Sequence, residues 1–186
     1  MPRLSAIESS EVTGRARELL DAVQARLGMT PNLIRTLAHS PAALQAFLSF
    51  GAALDSGGLP EKLREQLALA VAELNGSTYC LSINCALGRA IGLSEEEISD
   101  SRQGKSPDSK VRAALQFARK VVGERGGVSD ADMARVRRAG FCDGEIAELV
   151  AHVALNIFSN YFSLVAGTAL DFPPAPEVDP AQGPVT

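Results

Sequence analysis

The stretch Asn75-Gly76-Ser77-Thr78-Tyr79-Cys80-Leu81-Ser82-Ile83-Asn84 reads as the end of one helix, a stop, and the capped start of another. Gly76 suits the left-handed conformation that closes helices. Ser77 or Thr78 can cap the helix that follows. Cys80 then falls in its first turn, where unpaired N–H groups and the positive end of the helix dipole favour a thiolate. Asn84 lies one turn later on the same face. Upstream, about Pro60 to Leu74 reads as helix, with Leu63, Leu67, Ala70, Val71 and Leu74 on one apolar face. Glu65 lies off that face, among Ala68, Leu69 and Ala72.

Helical grammar continues outward in both directions. Ser9-Ser10 followed by Glu11 predicts a first helix closed by Gly28. Pro31 opens a short helix to about His39, and Ser40-Pro41 starts the next, about Ala42 to Leu54. The Cys80 helix runs to about Ile91, and Ser94 with Glu97 forms a capping box. Helices follow over about Val111 to Val122, from Ser129 to near Gly140, and, capped by Asp143, over about Gly144 to Ala169. The expectation is an all-α single domain over residues 1–170, with a Pro-rich extended or disordered tail over 171–186. In an oligomer that tail has the length to lie along a neighbouring subunit.

The Glu65–Cys80 arrangement resembles the core of the alkylhydroperoxidase AhpD and carboxymuconolactone decarboxylase superfamily. Its redox members carry a Glu, then twelve residues later a Cys-x-x-Cys, then a His four residues after the second Cys. Glu65 matches the Glu and Cys80 the second Cys; Ser77 stands at the first Cys position and Asn84 at the His. Met29-Thr-Pro-Asn32, Leu59-Pro60, Val128-Ser-Asp130, Gly140-Phe-Cys-Asp-Gly-Glu-Ile146 and the Asn160-containing final helix also look like family landmarks. The resemblance implies an AhpD-like helical fold, a homo-oligomer and an alkylhydroperoxidase-like, antioxidant oxidoreductase. It implies Cys80 as the sulfur that attacks peroxide and Glu65 in proton relay to it.

Each candidate also has a plainer reading. Free Cys is among the most buried residue types, and Cys80 shares its face with Ile83, Leu87 and Ile91. Glu65 is either an early-turn carboxylate eased by the helix dipole or a buried one whose pKa rises towards neutrality. Ser77 cannot resolve a sulfenic acid, but it can cap the helix and hydrogen-bond towards the Cys80 sulfur. Cys85 lies about 8–9 Å from Cys80 on a helix and projects about 140° away, beyond disulfide reach; it reads as packing. Asn84 hydrogen-bonds but does not titrate. The Tyr79 hydroxyl either orients a ligand or sits in the core. On the final helix His152, Asn156, Asn160 and Ser163 form a polar stripe that needs partners. His152 is the missing titrating group if it folds near Cys80. Cys142 reads as a helix-start residue.

Eighteen basic and twenty-two acidic residues are interspersed, for a net charge of −4. No basic stripe points to nucleic acid or an anionic membrane. No apolar run is read as a membrane span, no signal core opens the chain, and three sparse Cys do not make a secreted disulfide framework. A cytoplasmic location is the expectation, with no metal site and no cofactor. Three functions remain open. One is a single-thiol peroxidase at Cys80, using Glu65 and an external thiol reductant. Another is a cofactor-free carboxymuconolactone decarboxylase-like lyase acting on an organic acid or lactone, for which Arg35 and Arg64 are the nearest carboxylate binders by sequence. The third is a non-catalytic scaffold.

Overall fold

The computed structural model describes residues 2–178. Within them the chain forms nine α-helices: α1 (Gly14–Leu27), α2 (Asn32–Leu37), α3 (Pro41–Asp55), α4 (Glu61–Leu74), α5 (Thr78–Ala90), α6 (Glu95–Gln103), α7 (Ser109–Gly123), α8 (Asp130–Arg138) and α9 (Asp143–Ala166). The capping residues set most of these boundaries. Ser40, Ser94 and Ser129 each accept a hydrogen bond from the third residue beyond, and Asp108 caps α7 through Lys110 and Val111. Gly76 adopts φ +63 between α4 and α5, which places Ser77 as the cap of α5 through the Cys80 N–H.

Two boundaries differ from the sequence reading. Residues Ser9–Glu11 form only a 3₁₀ turn, and α1 begins at Gly14. The β-branched pair Val12-Thr13 lies in extended conformation between them, which β-branching favours over helix. The cap of α9 is Cys142, not Asp143: its sulfur accepts from the Glu145 N–H at 3.5 Å, and the Glu145 carboxylate accepts the Cys142 N–H at 2.7 Å.

Helix α4 occupies the centre. Residues 66–72 are all buried, and α5, α6, α7 and α9 pack around it. Buried continuously rather than along one stripe, it is a core helix, and Ala68, Ala70 and Ala72 let its neighbours approach closely. Leu63, Leu67 and Val71 meet Leu115, Ala118, Leu149 and Val153 in one apolar cluster. A second cluster joins Ala72, Tyr79, Cys80 and Leu81 to Leu20, Leu37 and Leu44. Glu148 on α9 secures the approach to α4 by accepting the N–H groups of Gly58 and Leu59 at 2.9–3.1 Å. A Cβ at Gly57 would lie 2.5 Å from its Oε2, so a side chain there would displace this carboxylate.

Helix α9 is 24 residues long, and by length and composition it is apolar enough to cross a membrane, which the sequence reading did not single out. In the fold it packs on α3, α4, α5 and α7 through one side. Its other side leaves Val150, Phe158, Tyr161, Leu164 and Val165 exposed, Val165 by 63%. Between Gly167 and Val178 the described chain has no regular structure, and residues 171–176 lie against α2, α5 and α6 of the same chain. Residues 179–186 of the Pro-rich segment lie outside the described residues.

The central position of α4 makes a direct prediction. Leu67 is fully buried, so Leu67→Ala should lower unfolding stability by about 2–5 kcal/mol, read as the shift in a urea denaturation curve.

Candidate functional site

Helices α1, α3, α4, α5 and α9, the segment before α2 and the C-terminal segment line a cavity of about 490 Å³ that opens to solvent beside the exposed Leu27 and Leu87. Four of the seven residues singled out from the sequence behave as a group. Glu65 from α4, Asn84 from α5 and His152 and Asn156 from α9 all line this cavity. Its remaining wall is mostly apolar, with Ile83, Leu87, Leu155 and Phe172, while Arg26, Asp55, Glu61 and Arg64 supply charge. An apolar cavity with a few convergent polar groups is the usual form of a small-molecule site.

Glu65 is the group with the most unusual electrostatics. The residue as a whole is half-buried, but its Oε1 is enclosed and meets no hydrogen-bond donor in the protein. Burial, and secondarily the charge of Glu61 one turn away, push its pKa from 4.5 up to about 8. The carboxyl therefore holds its proton at neutral pH and can exchange it there.

His152 is buried, and its Nε2 likewise meets no partner. Burial and then the Arg64 charge lower its pKa, against the weaker pull of Glu148 and Asp55. It is a neutral imidazole at neutral pH. Asn156 is oriented by donation from its amide to the His152 carbonyl at 2.9 Å. Arg64 is the second cation anticipated from sequence, and it lines the cavity while its Nη1 donates to the Asp55 carbonyl at 2.9 Å. Arg35 is elsewhere. It bonds the Ile7 carbonyl, Asn32 and Glu8.

The other three candidates, Ser77, Tyr79 and Cys80, do not line the cavity. Cys80 is 3% exposed and packs in the cluster with Leu20, Leu37 and Leu44. The hydroxyl that meets its sulfur is that of Ser163, at 3.7 Å, not that of Ser77. Ser77 is fully buried; its Oγ accepts the Cys80 N–H at 3.3 Å and lies 2.8 Å from Ser163 Oγ. The Tyr79 hydroxyl donates to Asp171 at 2.6 Å and accepts the Leu33 N–H at 3.1 Å. Burial and the Asp171 hydrogen bond raise its pKa, so it stays a phenol.

His152 does not serve Cys80. The α9 residue beside the sulfur is Ser163, eleven positions further along, about 16 Å at the helical rise of 1.5 Å per residue. Cys80, Cys85 and Cys142 are all free thiols, and burial raises the pKa of Cys85, in keeping with its reading as a packing residue.

Residues 41–124 match the Carboxymuconolactone decarboxylase family. That segment runs from α3 to just beyond α7 and contains both Glu65 and Cys80. A solved alkylhydroperoxidase AhpD core protein, an uncharacterized peroxidase-related protein from Ralstonia eutropha JMP134, superposes with a TM-score of 0.81 at 27% identity, over 91% of this chain and 92% of its own. The family match and this likeness together support placing the chain in the AhpD/carboxymuconolactone decarboxylase superfamily. Two more distant structures share the fold. An uncharacterized peroxidase-related protein from Silicibacter sp. TM1040 has a TM-score of 0.78 at 21% identity, covering 90% of this chain and 92% of its own. A cysteine-to-alanine variant of the debrominase Bmp8, in complex with 2,3,4-tribromopyrrole, also reaches 0.78, at 18% identity and 92% of both chains. Among curated proteins none matches significantly.

Sequence reasoning found the four lining residues but missed Asp171, Phe172 and Glu148. Only the Gly57-Gly58 pair, which leaves room for Glu148, carried a signal for any of these.

The raised pKa of Glu65 has a thermodynamic consequence. The folded chain holds this proton more tightly than the unfolded chain, so the associated stability is whole below about pH 4.5 and is lost as pH rises through about 8. Wild-type urea stability should therefore fall between about pH 5 and about pH 9 by more than that of Glu65→Gln. Equal falls in both proteins would mean that the carboxyl ionises normally in the fold.

Proposed function

We propose that this protein is a cofactor-free enzyme that moves a proton to or from a small organic acid bound in the Glu65 cavity. One observation carries the reading: the Glu65 carboxyl, one oxygen of which is enclosed without a partner, lines the same cavity as the unpartnered His152 ring. A buried polar atom without a partner is costly unless something else satisfies it, and a ligand atom in the cavity would do so. Glu65 in its protonated form donates to a developing negative charge, and in its ionised form takes a proton from carbon or oxygen. The amides of Asn84 and Asn156 offer hydrogen bonds that orient the molecule. The Arg64 guanidinium supports a carboxylate on it. The debrominase relative, solved with a halogenated pyrrole, supports this fold as a host for compact rings. These features together favour the decarboxylase-like branch of the superfamily.

A second reading rests on a separate observation. The Cys80 sulfur sits at the first turn of α5 beside the Ser163 hydroxyl. As a peroxidase, its thiol would attack a hydroperoxide oxygen, giving a sulfenic acid and an alcohol. One external thiol would then condense with the sulfenic acid and release water. A second would free Cys80 and leave the external disulfide. The peroxidase-related relatives support this, and the burial of Cys80 away from the cavity weighs against it.

A panel of small organic acids and hydroperoxides, assayed for thermal stabilisation and turnover, separates the readings. With an organic acid as substrate, Glu65→Gln should lower kcat by about 10²–10⁴-fold while Cys80→Ser stays within a few-fold of wild type. Dimedone trapping at Cys80 after peroxide, with turnover lost in Cys80→Ser and kept in Glu65→Gln, would overturn the first reading for the second. Silence in every arm would leave the scaffold function.

The exposed apolar side of α9 is the surface on which we propose a second copy packs, forming the homo-oligomer. Val165→Asp should then shift the species seen by analytical ultracentrifugation towards the monomer mass, because it places a charge in a desolvated contact.

A further inference from the structure

The cavity has one wall that no helix provides. Phe172 lines it, together with Met29 and Pro31 from the segment that precedes α2. Phe172 belongs to the irregular stretch after Gly167, so nothing in its own local backbone fixes its position. Side chains from elsewhere do. The Asp171 carboxylate accepts the Asn32 N–H at 2.9 Å and the Tyr79 hydroxyl at 2.6 Å. The Asn32 amide donates to the Ala169 carbonyl at 3.1 Å. On the other side of Phe172, the Ser82 hydroxyl donates to the carbonyls of Phe172 and Pro173, each at 2.9 Å. Further on, Arg102 donates to the Pro176 carbonyl at 2.7 Å while its Nε pairs with Glu73 at 2.7 Å.

These ties meet at the start of α2. Pro31 stands at its N-cap and has no side-chain acceptor for the first N–H groups. The cap is supplied from a distance instead: Asp171 takes the Asn32 N–H and the Tyr79 hydroxyl takes that of Leu33. One node thus holds Met29 and Pro31 on one side and Phe172 on the other, across 139 residues of chain. A charge-assisted bond to the Asp171 carboxylate is roughly twice as strong as a neutral one.

We propose that the C-terminal segment sets the size of molecule that reaches Glu65, with Phe172 as the specificity-determining wall and Asp171 as the residue that positions it. The inference rests on the cavity being the site, as argued above, but its test reads access rather than turnover. A phenyl ring held from both sides narrows the cavity that Glu65 also lines. Its removal widens the cavity on the side that no helix lines, and Tyr79 and Ser82 act through this clamp rather than by contact with a ligand.

The test is carboxyl labelling of the full-length protein with a water-soluble carbodiimide and glycine ethyl ester, read at Glu65 by peptide mass spectrometry. Phe172→Ala should raise the Glu65 labelling rate about tenfold over wild type. Phe172→Leu keeps an apolar wall and should stay near the wild-type rate. Asp171→Asn should move in the same direction as Phe172→Ala by a smaller factor. Circular dichroism and thermal melting certify that each variant is folded. Isothermal titration with benzoate and 2-naphthoate then gives the size readout: Phe172→Ala should shift the affinity ratio about tenfold towards the two-ring acid. A folded Phe172→Ala protein that labels at the wild-type rate overturns the proposal. That result is independent of whether Glu65→Gln loses turnover, so failure here and failure of the acid–base reading are told apart.

Discussion

The burial of α4 on every side is the constraint from which the rest of the molecule follows. A helix with residues 66–72 all enclosed needs partners around its whole circumference, and α5, α6, α7 and α9 provide them. The alanines at 68, 70 and 72 set how closely those partners come. Although Glu61 and Lys62 at its start stay exposed, a charge next to the enclosed stretch is largely removed from water. Glu65 is such a charge, and its raised pKa is the electrostatic image of the packing.

The thiol and the carboxyl, paired in the redox members that this core resembles, have parted company here. Cys80 lies among aliphatic side chains, and its polar neighbour is Ser163. Ser77, at the first position of the redox members' dithiol, pairs its hydroxyl with Ser163 instead, a contact without redox capacity. Asn84 turns towards the cavity with Glu65, and His152 and Asn156 reach the same cavity from α9. These polar groups thus share a cavity with the carboxyl and not with the sulfur. That grouping is why acid–base chemistry is the better reading of the geometry.

Much of this was legible in the chain. Helix limits follow from capping residues, because a cap is a local bargain between a side-chain oxygen and an N–H two or three residues away. Ser40, Ser77, Ser94 and Ser129 were readable for that reason. The first helix was misjudged where two β-branched residues broke it, and the last cap where a sulfur took the role expected of Asp143. Glu65 stood out because a carboxylate among Ala and Leu is anomalous in any fold. The destination of the α9 stripe was not legible. Period alone groups His152, Asn156, Asn160 and Ser163, yet His152 and Asn156 face the cavity while Ser163 meets Cys80 and Ser77, and Asn160 accepts from Asn75.

By itself the sequence determined the helices, their order, the resemblance to a superfamily, and the presence of one carboxyl placed against its surroundings. These depend on residues near one another in the chain, where periodicity and capping act. Tertiary structure alone decided that His152 belongs with Glu65 and not with Cys80, that Arg64 rather than Arg35 reaches the cavity, and that Asp171 caps a helix 139 residues away. Those contacts join segments whose separation in sequence carries no trace of their meeting. They exist because the central helix brings its neighbours together, and a cap supplied from another part of the chain leaves no local pattern to read.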